Sequence, residues 1–218
     1  MEEGRKKMST ADSIIRKLGL RDHPEGGYIL ETHRSGSSAV TSGYTDVNVQ
    51  SSLKLLVTGW IDLNTTGSES YESLTIVPGR QERHPDGDAR RNCITSIIWM
   101  QTDRHRYMKL AKNLSDNVSY YHCGNAFQFN LYDPTTHTLH RETLGPDFDA
   151  GQRLQVVCPR GWWKCGQMLT SDTCDYSLLV EAMGPGFDWH DFSWITEDDI
   201  QTIDNKDVRV LLDGFVNI

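Results

Sequence analysis

From Cys93 to Met183 the chain is a succession of short β-forming runs: "CITSIIWMQ", "RYMKLA", "NVSYYHC", "AFQFNLYD", "HTLHRETL", "LQVVCP", "WWKCGQML" and "YSLLVEAM". They recur every ten to fifteen residues with turn-forming residues between them. Runs of that length are too short for helices and too regularly spaced for a linker. Evenly spaced short strands close into a sandwich or barrel, because only sheet-on-sheet packing covers so many half-apolar faces. The expected fold class is therefore all-β.

At 218 residues the chain fits one such unit. The formal net charge is -8, and no basic run is longer than Arg5-Lys6-Lys7, which argues against a nucleic-acid backbone as partner. No window approaches the ~18 apolar residues of a membrane helix. The first ten residues are charged and contain no apolar stretch, unlike a signal peptide. The cysteines (Cys93, Cys123, Cys158, Cys165, Cys174) make an odd set without C-x-x-C spacing. Together these features lead to the expectation of a cytoplasmic protein with reduced thiols.

Outside the β-rich stretch the signals are local. Ser9 or Thr10 caps a short amphipathic helix, Ala11 to Leu18, closed by Gly19. "HPEGGYILETHRS" reads as a Pro/Gly turn followed by a strand from Tyr28 to His33. Residues 35–51 read as a mobile loop, "SSLKLLVTGWIDL" leans toward strand, and "GRQERHPDGDARRN" is a polar, turn-rich loop. Thr196 caps a helical "EDDIQTI", and "VRVLLDGF" fits either a helix or a strand.

The stretch "VVCPRGWWKCGQ" sets a problem. Lys164 stands between Trp163 and Cys165 in an otherwise buried-looking run, where an ammonium is costly unless a charge answers it. The same stretch carries a resemblance. "LGLRDHPEGGYILETHRS", "TSIIWM", "SDNVSYYHCG", "LGPDFDAGQRLQVVCPRGWWK" and "GPGFDWHDF" are similar, in order, to the blocks of the cupin-5 (DUF985) family over roughly residues 18–195. The resemblance implies a double-stranded β-helix jelly roll over residues 18–195 with a long insertion at about 36–92. An N-terminal extension and helix (residues 1–17) would precede it and a helical tail (196–218) follow. It further implies a homodimer that exchanges its first strands. It implies no particular reaction.

Metal-binding cupins carry an H-x-H…E…G motif and a P-x-G-x-x-H motif. In this chain Lys164 occupies the last histidine slot, Asn117 the glutamate slot, and Ala111 and Asn113 the region of the two remaining histidines. Lysine protonated at neutral pH has no lone pair for a metal. The expectation is no metal and no cofactor, with Lys164 pointing into the barrel; the competing reading is a lysine that snorkels to water.

Strand alternation extends the candidate site. If Asn117 faces inward, Ser119 and Tyr121 do so too, and His122 faces the other way, as a structural or a ligand-binding residue. Glu31 and Glu181 are the candidate partners of Lys164, since an unanswered charge in either run is expensive. Trp162, Trp163, Tyr121, Phe127 and Phe129 read as core, with one or two free to form a stacking wall. "HPEGGY" reads as turn geometry, and His137 and His140 as solvent-facing. The catalytic candidates are Lys164, Glu181 and Tyr121. The ligand-binding candidates are Glu31, Asn117, Ser119, His122, Trp163 and Gln155. The resulting expectation is a metal-free dimeric cupin binding a small polar or anionic metabolite, namely a sugar, nucleotide sugar or carboxylate. If it has turnover, the fitting reaction is proton transfer of the epimerase or isomerase kind. Two alternatives stand beside it: a metal-dependent, dioxygenase-like site using His105, His122 and a carboxylate, and a non-catalytic interaction protein using residues 36–92.

Overall fold

The computed structural model describes residues 10–35, 74–76, 90–172 and 174–218. Helix α1 (Ala11–Leu18) ends where Gly19 adopts a left-handed conformation, φ 69°. Thr10 is its N-cap but makes no side-chain cap; the Asp175 carboxylate accepts from the Ala11 N–H instead, at 3.1 Å. Thirteen strands are described: β1 (Arg21–Asp22), β2 (Tyr28–Arg34), β3 (Leu74–Ile76), β4 (Arg90–Asn92), β5 (Thr95–Thr102), β6 (Tyr107–Asn113), β7 (Asp116–Gly124), β8 (Phe127–Asp133), β9 (Thr138–Leu144), β10 (Gln155–Cys158), β11 (Trp163–Met168), β12 (Tyr176–Gly184) and β13 (Phe192–Trp194). A 3₁₀ turn covers Trp189–Asp191, and helices α2 (Glu197–Gln201) and α3 (Lys206–Asp213) follow β13. Thr196 and Asp199 cap α2 reciprocally, and "VRVLLDGF" falls largely within α3.

The strands form a six-stranded antiparallel sheet, in the order β1-β2-β5-β12-β7-β10, and a five-stranded one, β13-β6-β11-β8-β9. This is the jelly-roll arrangement the β periodicity leads to, with a helix at each end of the chain. The pair β3-β4 stands apart. It corrects one detail, because Arg90–Asn92, read as loop, is a strand paired with Leu74–Ile76. The expected loop at 36–51 and the strand-like "SSLKLLVTGWIDL" lie outside the described residues.

Alternation sorts the core into three layers. Trp99, Phe127, Phe129, Leu144 and Leu179 fill the space between the sheets. One residue along each strand, Met100 and Leu178 face outward and pack under α1 with Ala11 and Leu20. On the other flank Tyr132, Trp163 and Cys165 face outward, covered by Ile200, Ile203, Leu212 and Phe215 of the C-terminal segment. Each sheet thus buries both faces over part of its area, which explains strands more uniformly apolar than strict alternation would require.

Two register shifts matter for the site. β6 carries an extra residue opposite β11, so Ala111 pairs with Lys164 while Met108 pairs with Gly166. β7 is irregular opposite Leu178 and Leu179, so Cys123 joins the outer layer under α1 although Tyr121 packs against the inner one. No helix among the described residues is long and apolar enough to cross a membrane.

Candidate functional site

At one end of the jelly roll the sheets separate around a cavity of about 520 Å³. β11 brings Lys164 to its floor, and the period-2 rule sends Trp163 and Cys165 to the opposite face. Lys164 Nζ donates to Glu181 Oε1 at 3.0 Å, to Glu181 Oε2 at 3.2 Å and to Asn117 Oδ1 at 3.3 Å. Glu181 on β12 pairs in register with Ser119 on β7, and the Ser119 hydroxyl donates to Glu181 Oε1 at 2.7 Å. Asn117 Nδ2 donates to Oε2 at 3.0 Å. Both carboxylate oxygens are therefore doubly satisfied and the ammonium has partners for all three protons. The side chains of Lys164 and Glu181 are only 13% and 3% exposed.

Those contacts outweigh burial, which opposes charge on both groups. Burial pulls the Lys164 ammonium down, but the carboxylates of Glu181 and Glu25 carry it above its ordinary value. Burial pushes Glu181 up, yet Lys164 and the hydrogen bonds from Ser119 and Asn117 hold it below the usual carboxylate range. The pair is ionised at neutral pH.

Above this floor stand two titratable groups from the β1–β2 turn. The turn is tight: Gly26 N–H donates to His23 O at 2.9 Å, and His23 N–H to Gly27 O at 3.1 Å. Gly26 and Gly27 have φ of 97° and 75°, and a Cβ on either would run into a backbone carbonyl, that of Tyr107 or of Met100. Only glycine passes there. The result is that Glu25, 7% exposed, is folded inward to line the cavity. Among the described residues no hydrogen bond reaches its carboxyl. Burial raises it to about 7, with Lys164 pulling down and Glu181 pushing up. Burial likewise lowers His23 to about 4, so its imidazole is neutral. Cys158 also lines the cavity, and burial raises its thiol to about 11, leaving no thiolate at neutral pH.

The walls are aromatic. Trp99 supports His23 with ring centroids 5.0 Å apart, Trp189 stacks on His23 at 6.0 Å and 17°, and Trp162 stacks on His140 at 5.0 Å and 21°. At the rim Arg34 pairs with Glu31 at 2.6 Å and donates to Phe187 O at 2.9 Å, tying β2 to the segment before the 3₁₀ turn. Arg91, buried, pairs with Asp191 at 2.6 Å, and His190 Nδ1 meets Asp188 Oδ1 at 2.7 Å.

The structure thus gathers Lys164, Glu181, Asn117 and Ser119, leaves Glu31 at the cavity rim and disperses the remaining sequence candidates. Tyr121 faces inward but at the packed end, where it joins the core and its hydroxyl donates to Gly124 O at 2.7 Å. Alternation specifies a face; it does not specify depth, and four residues of strand advance ~13 Å. Tyr121 is no acid for this cavity. His122 and Gln155 are exposed on the outer surface. Trp163 belongs to the layer beneath the C-terminal helices, 5.1 Å from Tyr132, because it cannot share a face with Lys164. The stacking wall is Trp162. Glu31 is exposed at the rim and answered by Arg34, so it does not neutralise Lys164. His105 and His122 are both exposed and apart from the cavity, which removes the proposed ligand set of a dioxygenase-like site. His23, Glu25, Trp99 and Trp189 were absent from the candidates. "HPEGGY" held the signal, a histidine and a glutamate fixed in a turn whose glycines leave it one conformation.

The cupin fold raises the question of a metal. Ala111, Asn113, Asn117 and Lys164 all border the cavity where metal-binding relatives place ligands. An alkyl group, two carboxamides and an ammonium already engaged with Glu181 do not make a donor set. Among the described residues no group of three or more His, Cys, Asp or Glu is placed to hold an ion.

The family model described as "Cupin superfamily (DUF985)" matches residues 12–195, and the chain belongs to that family. It is similar to a hypothetical protein from Leishmania major, at 21% identity over 95% of this chain and 99% of that one, TM-score 0.67. A protein from Shewanella oneidensis is similar at 19% identity over 96% and 99%, TM-score 0.65. A dTDP sugar isomerase from Desulfovibrio desulfuricans matches 51% of this chain and 69% of that one at 17% identity, TM-score 0.41. The likeness to the Leishmania major and Shewanella oneidensis proteins expresses a shared fold only. No curated protein matches.

Proposed function

We propose that the cavity binds one small polar metabolite and that Glu25 exchanges a proton with it, without a metal, in a reaction of the isomerase or epimerase type. The observation that carries this reading is the contrast between two buried carboxyls sharing one cavity. Glu181 is saturated with hydrogen bonds and ionised, whereas Glu25 has none among the described residues. A buried carboxyl left open to a ligand and titrating near neutrality is suited to take and return a proton.

In the reaction, Glu25 carboxylate removes a proton from a carbon next to a carbonyl, and the C–H electrons move into a C=C bond as the carbonyl oxygen becomes negative. The amide of Asn117 favours that charge. Return of the proton, to the neighbouring carbon or to the other face, completes isomerisation or epimerisation. The aromatic walls and the rim exclude bulk water.

The test begins with mass spectrometry of small molecules that co-purify with the protein. That mixture is then incubated with fresh protein in D₂O. The wild type is expected to introduce carbon-bound deuterium, and Glu25→Gln to reduce the rate by at least about a hundredfold. Absence of label with the wild type, or equal labelling by the variant, would overturn the proposal.

The expected homodimer and cytoplasmic setting are part of the same proposal. β1 joins the six-stranded sheet through β2, and β2 through its ladder with β5, a pairing in which a partner's copy can substitute. Light scattering at twice the chain mass is the expected result.

A further inference from the structure

Resting on the reading of this cavity as a ligand site, we infer that its ligand is an electrically neutral carbohydrate ring, and that phosphorylated or carboxylated sugars are rejected. The argument is a count of charges and donors. Lys164 is the only cation at the floor among the described residues, and its three protons are spent on Glu181 and Asn117. Arg34 at the rim is committed to Glu31, Asn92 Oδ1 and Phe187 O. Arg91 is committed to Asp191 at 2.6 Å, with Asp188 also at 3.9 Å. Lys112 contributes to the cavity lining, but it lies directly across the ladder from Trp163, which sends its side chain to the outer face, where Asp199 feels its charge. Among the described residues an entering anion thus finds no uncommitted cation aimed into the cavity and does find a second carboxyl, Glu25. Ionised, Glu25 repels the anion; protonated, it offers a single donor. Desolvating a carboxylate or phosphate against such a wall is unfavourable.

A neutral hydroxylated ring meets none of these penalties. Each hydroxyl both donates and accepts, as do the groups presented: the Glu25 carboxyl and the Asn117 amide. The flat C–H faces of a pyranose match apolar walls of Trp99 and Trp162, the latter backed on one side by His140. A molecule with apolar faces and hydroxyl edges is the complement of a cavity with aromatic walls and a polar floor.

The probes are three triplets of one stereochemistry each: glucose, glucose 6-phosphate and glucuronic acid, and the corresponding galactose and mannose sets, titrated at pH 7.5 by calorimetry and tryptophan fluorescence. At least one neutral aldose should bind, and its charged counterparts should bind more than about tenfold more weakly. Glu181→Gln frees the charge of Lys164 and should raise the affinity of the uronic acid at least about tenfold over wild type. Glu25→Gln, which leaves the floor pair intact, should raise it severalfold. Tighter binding of a charged member to the wild type, no binding by any member, or variants that leave uronate affinity unchanged would overturn the assignment. The proton-transfer reading fails or survives separately, on deuterium uptake into the co-purifying compound.

Discussion

The two ends of the jelly roll are built from the same strands and solve opposite problems. At the packed end β8, β11 and β12 contribute Phe127, Phe129, Met168 and Leu179, and Gly166 lies so close to the Phe127 ring that any side chain there would collide with it. At the open end, two residues along, the same β11 and β12 contribute Lys164 and Glu181. The packed end is dry and filled; the open end keeps about 520 Å³ and buries an ion pair. The difference shows what lets charge survive inside a small β fold. Every lone pair and proton of the pair has a partner, so the interior pays desolvation once and recovers it through geometry. Where no such network exists, aromatic rings occupy the space.

Breaking the network should have the largest effect. Glu181→Leu leaves the Lys164 ammonium buried beside apolar walls and is expected to cost about 3–5 kcal/mol, roughly 10 °C in Tm. Lys164→Met combined with Glu181→Leu should recover most of that loss, because the uncompensated charge goes with it. Thermal melts of the two single variants and the double variant measure the coupling. A double variant as unstable as Glu181→Leu alone would mean the open end depends on shape rather than on charge balance.

The next effect concerns pH. Glu25 is raised to about 7 from an ordinary 4.5, so between those values the folded state holds a proton the unfolded state has lost, and stability falls as pH rises. His23 is lowered to about 4 from 6.5, so the unfolded state holds the extra proton, and stability rises with pH over that range. Each contribution is at most about 3 kcal/mol, and in the wild type they oppose one another. Glu25→Gln should expose the rising slope and His23→Gln the falling one, in urea denaturation at pH 4.5, 5.5 and 6.5. Parallel profiles for the two variants would show that these groups do not titrate from within the cavity.

The smallest effect belongs to the packed end. Gly166→Ala forces the Phe127 ring and the Gln128 carbonyl aside and should cost about 1–3 kcal/mol while leaving ligand affinity unchanged. A loss of affinity as large as the loss of stability would show that the two ends are not independent.

Much of the fold was legible because its signals are local. Short runs with turn residues between them define strands, Gly19 and Thr196 mark helix ends, and the resemblance to the P-x-G-x-x-H motif implied that Lys164 points inward. The same resemblance marked Asn117, alternation added Ser119, and the cost of an unanswered charge left Glu181 and Glu31 as partners for the lysine. Alternation could not tell Tyr121, deep in the packed end, from a residue at the cavity, because depth along a strand depends on where the other sheet stops filling the space. Nor did it register the β7 irregularity that moves Cys123 outward.

By itself, then, the sequence determined that this chain forms antiparallel strands, which residues share a face, and that a lysine stands where relatives put a histidine. Those properties follow from backbone geometry over a few residues. Tertiary structure alone decided that Glu181 rather than Glu31 answers that lysine, and that His23 and Glu25 enter the cavity. Each of those outcomes depends on contacts between segments distant in sequence. Burial and Coulomb interaction depend on distance in space, which no local pattern encodes.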